Sequence, residues 1–409
     1  MAKELSFPKE KIRVFLLEKV HPSAQETFEA AGYTVTLVPD ALEGEELNAM
    51  LAEAHVVGVR SRTQIRAENL EHARRLLTIG CYSVGTDQVD LNATRRKAIP
   101  VFNAPHSSTR SVAELTIGNI FALSRKMPHR SAKMHEGRWE KSATGAFEVR
   151  GKTLGVIGYG HIGQQVALLG EAIGMTVLYY DVIPKLPLSR SQSVESLPEL
   201  LERSDFVTLH VPGTPETLGM ISTRELDLMK PGSYLLNLSR GKVVDLEALR
   251  EALVNGKLAG AALDVYPEEP ASNSDRYESI LGGLENVILT PHIGGSTEEA
   301  QLNIGREVSQ ALIQFLDRGS TQGAVNFPSV HLPPFPNSSR LLWVHENTPG
   351  ALRDVNGVIA ELGVNVDAQY LGTHQDVGYL IMDLDRACSE ELKERIAKLP
   401  QTLKTRVLY

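Results

Sequence analysis

Two cysteines, Cys81 and Cys388, are too few for a disulfide framework in 409 residues, and their scarcity fits a reducing compartment. No apolar run approaches the ~20 residues that a membrane-spanning helix needs. The opening Met1-Ala2-Lys3-Glu4 carries no apolar signal region, so a cytoplasmic protein is expected. Excess positive charge is also missing. A formal net charge of −8 speaks against a broad nucleic-acid surface, although local pairs such as Arg60 and Arg62 remain for small anions. No metal is expected. What is present, 42% hydrophobic and 22% charged residues, describes an ordinary globular protein long enough for several domains.

The chain is organised around Gly155-Val156-Ile157-Gly158-Tyr159-Gly160-His161-Ile162-Gly163. The apolar run Thr153 to Ile157 predicts a buried strand, the G-x-G-x-x-G pattern leaves it directly, and a helix follows to about Ile173. A second apolar run, Thr176 to Tyr180, ends at Asp181. Strand, glycine turn, helix, strand and acid in that order form a dinucleotide-binding unit. Gly158 permits the tight turn, Gly160 lets the backbone approach a pyrophosphate, and Gly163 lets helix and strand pack closely. The helix start offers free N–H groups to phosphate, and Asp181 would accept from a ribose hydroxyl.

Strands alternate with helices on both sides of this unit, which predicts α/β architecture with two doubly wound parallel sheets. Before it, strands are expected at Ile12–Leu17, Tyr33–Val38, His55–Val59, Leu77–Gly80 and Val101–Phe102. A long helix is expected over Ser111–Arg125 and another over Glu298–Arg318. The domain boundaries follow: residues 1–108 with 297–332 form one domain, and 109–296 the dinucleotide domain. Pro333, Pro334 and Pro336 with Asn337, Ser338 and Ser339 predict a linker over 333–339. Residues 340–409 then read βαββαβ, the ferredoxin-like order.

In open α/β sheets ligands bind beyond the carboxyl ends of the strands. His210, Ser239-Arg240-Gly241, Asp264 and Pro291-His292-Ile293-Gly294-Gly295 each follow a strand of the dinucleotide domain. Hydride transfer to a 2-keto acid needs a cation for the carboxylate, a general acid, and a carboxylate to hold that acid charged. Arg240, His292 and Glu269 suit these roles. Position alone leaves His210 and His106 as rival acids and Glu268 as a rival to Glu269.

Several stretches resemble the D-2-hydroxyacid dehydrogenase family. They are Gly58-Val59-Arg60-Ser61-Arg62, Ile79-Gly80-Cys81, Gly85-Thr86-Asp87-Gln88-Val89-Asp90, Val101-Phe102-Asn103-Ala104-Pro105, Thr109-Arg110-Ser111-Val112-Ala113-Glu114, the glycine motif, Leu236-Asn237-Leu238-Ser239-Arg240-Gly241 and Leu289-Thr290-Pro291-His292-Ile293-Gly294-Gly295-Ser296-Thr297. The tail is similar to an ACT domain, which narrows the resemblance to the phosphoglycerate-oxidising, serine-producing branch. The resemblance covers essentially the whole chain.

It implies NAD-dependent oxidation of D-3-phosphoglycerate to 3-phosphohydroxypyruvate, with possible reduction of 2-oxoglutarate to 2-hydroxyglutarate. His292 would be the acid/base, Glu269 its partner and Arg240 the orienting cation. Gly158, Gly160, His161, Ile162, Gly163, Asp181, His210, Leu238, Ser239, Arg240, Asp264, His292, Gly294 and Gly295 would line the NAD site. Arg60, Ser61, Arg62, Val84, Gly85 and Lys141 would bind substrate. His345, Asn347 and Asn365, near Gly350 at a helix start, match the pattern that binds an amino acid, typically L-serine, and the assembly implied is a homotetramer. A glycerate or lactate dehydrogenase, or an NAD-sensing interaction protein on the same scaffold, are the other readings. The chain departs from the family at Ser108, where an asparagine is usual, and at Pro333–Ser339, where some relatives carry a Gly-Gly hinge.

Overall fold

The computed structural model describes residues 8–270, 276–333, 338–385 and 390–408. Cys388 and most of the proline-rich linker lie outside them. The chain forms two compact units, one of residues 108–300 and one of the residues before 108 with those after 300.

The 108–300 unit is built on a seven-stranded parallel sheet in the order Val287–Leu289, Leu258–Leu263, Ser233–Asn237, Phe206–Leu209, Thr153–Ile157, Thr176–Tyr180, Gln192–Ser193. Its central strands are buried along their whole length, which is why they read as unbroken apolar runs rather than alternating ones. After Thr153–Ile157 the chain moves to one side of that strand and later returns to the other. This reversal opens a crevice beyond Ile157 and Leu209, where an open α/β sheet takes its ligand. The Thr109–Ser124 and His161–Ala172 helices pack on one face, Val112, Ile117 and Ile120 meeting Val166 and Ala167 in one apolar cluster.

The other unit holds two sheets. Thr34–Val38, Arg13–Leu17, Val56–Val59, Thr78–Cys81 and Val101–Phe102 form a parallel five-stranded sheet in that order. The Glu298–Arg318 helix lays Ile304, Val308, Leu312, Phe315 and Leu316 along it. These positions recur at helical spacing, so one apolar stripe is buried. Gly80 is required beneath it: a Cβ there would sit 2.7 Å from both Leu312 and Val308. The second sheet is antiparallel, in the order Val366–His374, Val377–Leu384, Ser339–Glu346, Thr402–Leu408. Its first strand starts at Ser339, within the expected linker, because Ser339 pairs with Leu384. The buried Arg340 guanidinium donates to both Asp383 carboxylate oxygens at 2.7 Å and to the Arg318, Leu332 and Pro333 carbonyls. Tyr379 Oη donates to Gly319 O (2.6 Å), and Arg95 Nε donates to Asp376 (2.6 Å), so the two sheets of this unit are tied by polar groups as well as by apolar contact.

Candidate active site

The glycine turn is set by close contacts. Gly158 has φ +90°, in the region that favours glycine, and a Cβ there would lie 2.7 Å from His210 O. A Cβ on Gly163 would lie 2.1 Å from Gly158 O. The His161–Ala172 helix begins at Gly160 without a side-chain cap, which suits a helix start that meets an anionic ligand. Asp181 faces the same turn, accepting from Tyr159 N (2.8 Å) and Ile183 N (3.0 Å). His210 shares a bond with Thr208 Oγ1 (3.0 Å) through Nε2, while its buried Nδ1 has no protein partner. Burial pushes its imidazole down to about 3, so His210 is neutral near pH 7. An open helix start, an acid beside it and a buried unpaired ring nitrogen fit a dinucleotide.

Farther along the sheet, three loops converge. Asn237 ends a buried strand and shapes the first: its Oδ1 accepts from Ser239 N and Oγ, and its Nδ2 donates to Arg240 O (3.0 Å). Arg240 Nη1 donates back to Ser239 O (2.8 Å). Gly241 abuts the second loop so tightly that a Cβ would lie 1.8 Å from Tyr266 C. Buried Asp264 organises the third. Its carboxylate accepts from Thr290 Oγ1 (2.6 Å), Ile293 N (2.9 Å) and Gly294 N (2.8 Å), bracketing His292. His292 sits at φ +53°, a conformation held by these bonds and by His292 N to Thr290 O (3.0 Å).

His292 Nδ1 meets Glu269 Oε2 at 2.7 Å, and Glu269 Oε1 accepts from Tyr266 N (3.2 Å). The Glu269 bond, against the opposing effect of burial, raises the imidazole above its ordinary pKa. Glu269 itself lies below the usual carboxylate range: burial pulls it up, but His292, Tyr266 N–H and Arg240 together outweigh burial. The imidazole thus has a carboxylate on Nδ1 and is half exposed. The rivals differ. Glu268 does not make this bond, His210 is neutral, and His106 is exposed on the other unit.

Leu238, Ser239 and Asp264 are buried beside these loops. Gly294 is close-packed, a Cβ there lying 3.0 Å from Asp264, and one on Gly295 would lie 3.4 Å from buried Ser108. His161 and Lys141 are exposed, and Ile162 is half-buried. In the other unit, Arg60, Ser61 and Arg62 follow the Val56–Val59 strand, and Val84 O and Gly85 O accept from Asn103 Nδ2 (2.6 Å) and Ser83 Oγ (2.7 Å). In the tail, buried His345 stacks on Trp343 and shares Nδ1 with Glu346 O (2.8 Å). Asn347 Nδ2 donates to Gln375 O (3.1 Å), and Asn365 N donates to Asp385 Oδ1 (3.2 Å). Asn237, Tyr266, Glu18 and Gln88 were given no role by sequence. Asn237 and Gln88 stand in stretches that carry the resemblance, and Asn237 also closes the apolar run Tyr234-Leu235-Leu236, whereas Tyr266 and Glu18 carried no signal.

Residues 117–294 match the model of the D-isomer specific 2-hydroxyacid dehydrogenase NAD-binding domain, and residues 341–404 match that of the AHAS small subunit-like ACT domain. The chain is 50% identical over 404 residues to the D-3-phosphoglycerate dehydrogenase of Dictyostelium discoideum, covering 99% of each. It is likewise 50% identical over 412 residues to that of Escherichia coli K12, covering 100% of each. Among solved structures, the D-lactate dehydrogenase of Aquifex aeolicus complexed with NAD and lactic acid is similar, with TM-score 0.67 and 33% identity over 74% of this chain and 95% of that one.

Proposed function

The chain belongs to the D-3-phosphoglycerate dehydrogenase family of NAD-dependent oxidoreductases, and from that premise we propose how its side chains divide the work of interconverting D-3-phosphoglycerate and 3-phosphohydroxypyruvate. The observation that carries the reading is the 2.7 Å His292–Glu269 pair on a loop fixed by Asp264.

In ketone reduction, Arg240 holds the substrate carboxylate and polarises the neighbouring carbonyl. The His292 imidazolium donates the proton on Nε2 to the carbonyl oxygen, since Nδ1 is committed to Glu269. In oxidation, neutral Nε2 takes the hydroxyl proton, and Glu269 stabilises the cation that forms. Glu269 takes no proton itself. The chemistry that bound NAD supplies is hydride transfer at the hydroxyl-bearing carbon. Gly158, Gly160, Gly163, His161, Ile162 and the helix start hold the pyrophosphate. Asp181 would take the adenosine ribose, and His210, Leu238, Ser239, Asp264, Gly294 and Gly295 would line the rest of the cofactor site.

Arg60 and Arg62 take the substrate phosphate, and Ser61, Val84, Gly85 and Lys141 are further substrate-binding residues. The tail binds L-serine through His345, Asn347 and Asn365 and inhibits, in a homotetramer of the cytoplasm, and 2-oxoglutarate is a second substrate. NADH oxidation with 3-phosphohydroxypyruvate, with and without L-serine, tests the activity and its regulation. Arg60→Ala and Arg62→Ala should each raise KM for 3-phosphohydroxypyruvate about ten- to a hundred-fold, the worth of a charge-assisted bond of roughly 1.5–3 kcal/mol. Unphosphorylated 2-keto acids should be far less affected. Equal losses on both would assign these arginines to the shared carboxylate or to structure.

A further inference from the structure

The Arg60–Arg62 segment already encloses an anion, and that anion belongs to the chain. Strand Arg13–Leu17 pairs in parallel with Val56–Val59, so the loops that leave their carboxyl ends are neighbours. Glu18 and Lys19 leave the first strand at φ +62° and +51°. Two successive non-glycine residues in the left-handed region mark strain that the surroundings must hold in place. The result is that the Glu18 side chain turns under the second loop, where only 2% of it is exposed.

There its carboxylate accepts four consecutive backbone N–H groups. Oε1 takes those of Arg60 (3.3 Å) and Thr63 (2.9 Å), and Oε2 those of Ser61 (3.1 Å) and Arg62 (2.9 Å). Arg62 Nε lies 3.8 Å from Oε2. From the other side, buried Gln88 donates through Nε2 to Arg60 O and to Ser83 Oγ (3.1 Å), and its own carbonyl accepts from Ile65 N (2.8 Å). Ser83 in turn donates to Gly85 O (2.7 Å).

Two consequences follow. The backbone N–H groups of residues 60–63 are taken by Glu18, so an outside anion meets this loop through side chains, the Arg60 and Arg62 guanidinium groups and the Ser61 hydroxyl. Gln88 then joins this loop to the Ser83–Gly85 loop, the other segment assigned to substrate.

We propose that Glu18 and Gln88 are positioning residues that set the phosphate selectivity of this enzyme. Glu18 curls the Arg60–Thr63 backbone so that both guanidinium groups face one phosphate, and Gln88 fixes that loop to Val84 and Gly85. The inference rests on the assignment of Arg60 and Arg62 to the substrate phosphate.

The test compares 3-phosphohydroxypyruvate with hydroxypyruvate, which differ only by the phosphate. Glu18→Gln keeps the size but turns an amide N–H₂ toward two of the four donors. It should raise KM for 3-phosphohydroxypyruvate about tenfold or more, change kcat by less than about threefold, and leave hydroxypyruvate kinetics within about threefold, because several charge-assisted bonds act on the loop alone. Glu18→Asp should recover part of the selectivity. Gln88→Met should give a smaller loss of the same kind, and it decides the matter if Glu18→Gln does not fold. A Glu18→Gln enzyme that loses both substrates equally, or keeps its selectivity while Arg60→Ala and Arg62→Ala lose theirs, overturns the proposal and leaves the phosphate assignment standing. If the arginine variants also keep their selectivity, the phosphate assignment falls and this inference with it.

Discussion

Removing the charge on Glu269 while keeping its shape isolates what that carboxylate does. In Glu269→Gln the amide can still fill the space beside His292, but one of its two ends must face a donor. Either the Tyr266 N–H bond or the His292 Nδ1–H bond is lost, and the negative charge is gone in both cases. The Glu269 bond is the largest influence holding the His292 pKa above its ordinary value, so the variant brings that pKa down. Ketone reduction needs the protonated imidazole and fails as pH rises through its pKa. The falling limb of the reduction profile therefore moves to lower pH. Oxidation needs the neutral imidazole, so its rising limb moves to lower pH as well.

The magnitude follows from the geometry. A hydrogen bond to a charged group contributes roughly 1.5–3 kcal/mol when buried. Here the His292 side chain is 51% exposed and that of Glu269 36%, so solvent screening brings the contribution toward about 1 kcal/mol. That corresponds to about fivefold, the most that kcat for reduction at a fixed pH should lose through the lowered pKa. His292→Gln removes the acid itself, a loss of about 10²–10⁴-fold, with NADH binding nearly intact. Because Glu269 acts through the imidazole, the double variant should be no slower than His292→Gln alone. Steady-state rates from pH 5 to 10 for the three variants check this. Losses that multiply in the double variant, or an unmoved pH profile in Glu269→Gln, would refute the reasoning.

Three further outcomes are expected. Asp181 would meet a 2′-phosphate with like charge, so NADH should be clearly preferred to NADPH, and equal kcat/KM with the two would count against Asp181 as the ribose acceptor. Arg340→Met leaves Asp383, 1% exposed, without its ion pair, which should destabilise the protein by about 3–5 kcal/mol, read as a lowered thermal midpoint. Asn347→Ala should weaken L-serine inhibition without altering the uninhibited rate, and the absence of any calorimetric L-serine binding to the intact protein would remove the regulatory reading.

Local chemistry made much of the fold legible. The G-x-G-x-x-G turn was readable because Gly158 and Gly163 each answer a backbone requirement that no other residue meets. The Glu298–Arg318 helix matches its apolar periodicity end to end. The Met127–His135 helix was not anticipated because none of its residues is buried, so it carries no apolar stripe to read. The strand Gln192–Ser193 is likewise exposed and only two residues long.

Pairings distant in sequence were decided only by the tertiary structure. His210 and His292 are the same residue type, and each follows a strand of the same sheet. Burial without a countercharge makes one neutral, and Glu269, 23 residues away, keeps the other basic. Nothing in the local pattern separates Glu268 from Glu269, or marks Glu18 as the anion around which residues 60–63 wrap. Periodicity and backbone preference are properties of neighbours along the chain, so sequence alone determined the buried strands, the helices with an apolar stripe and the dinucleotide turn. Desolvation and hydrogen-bond partnership are properties of neighbours in space. They decided which histidine, which glutamate and which loop carry the chemistry.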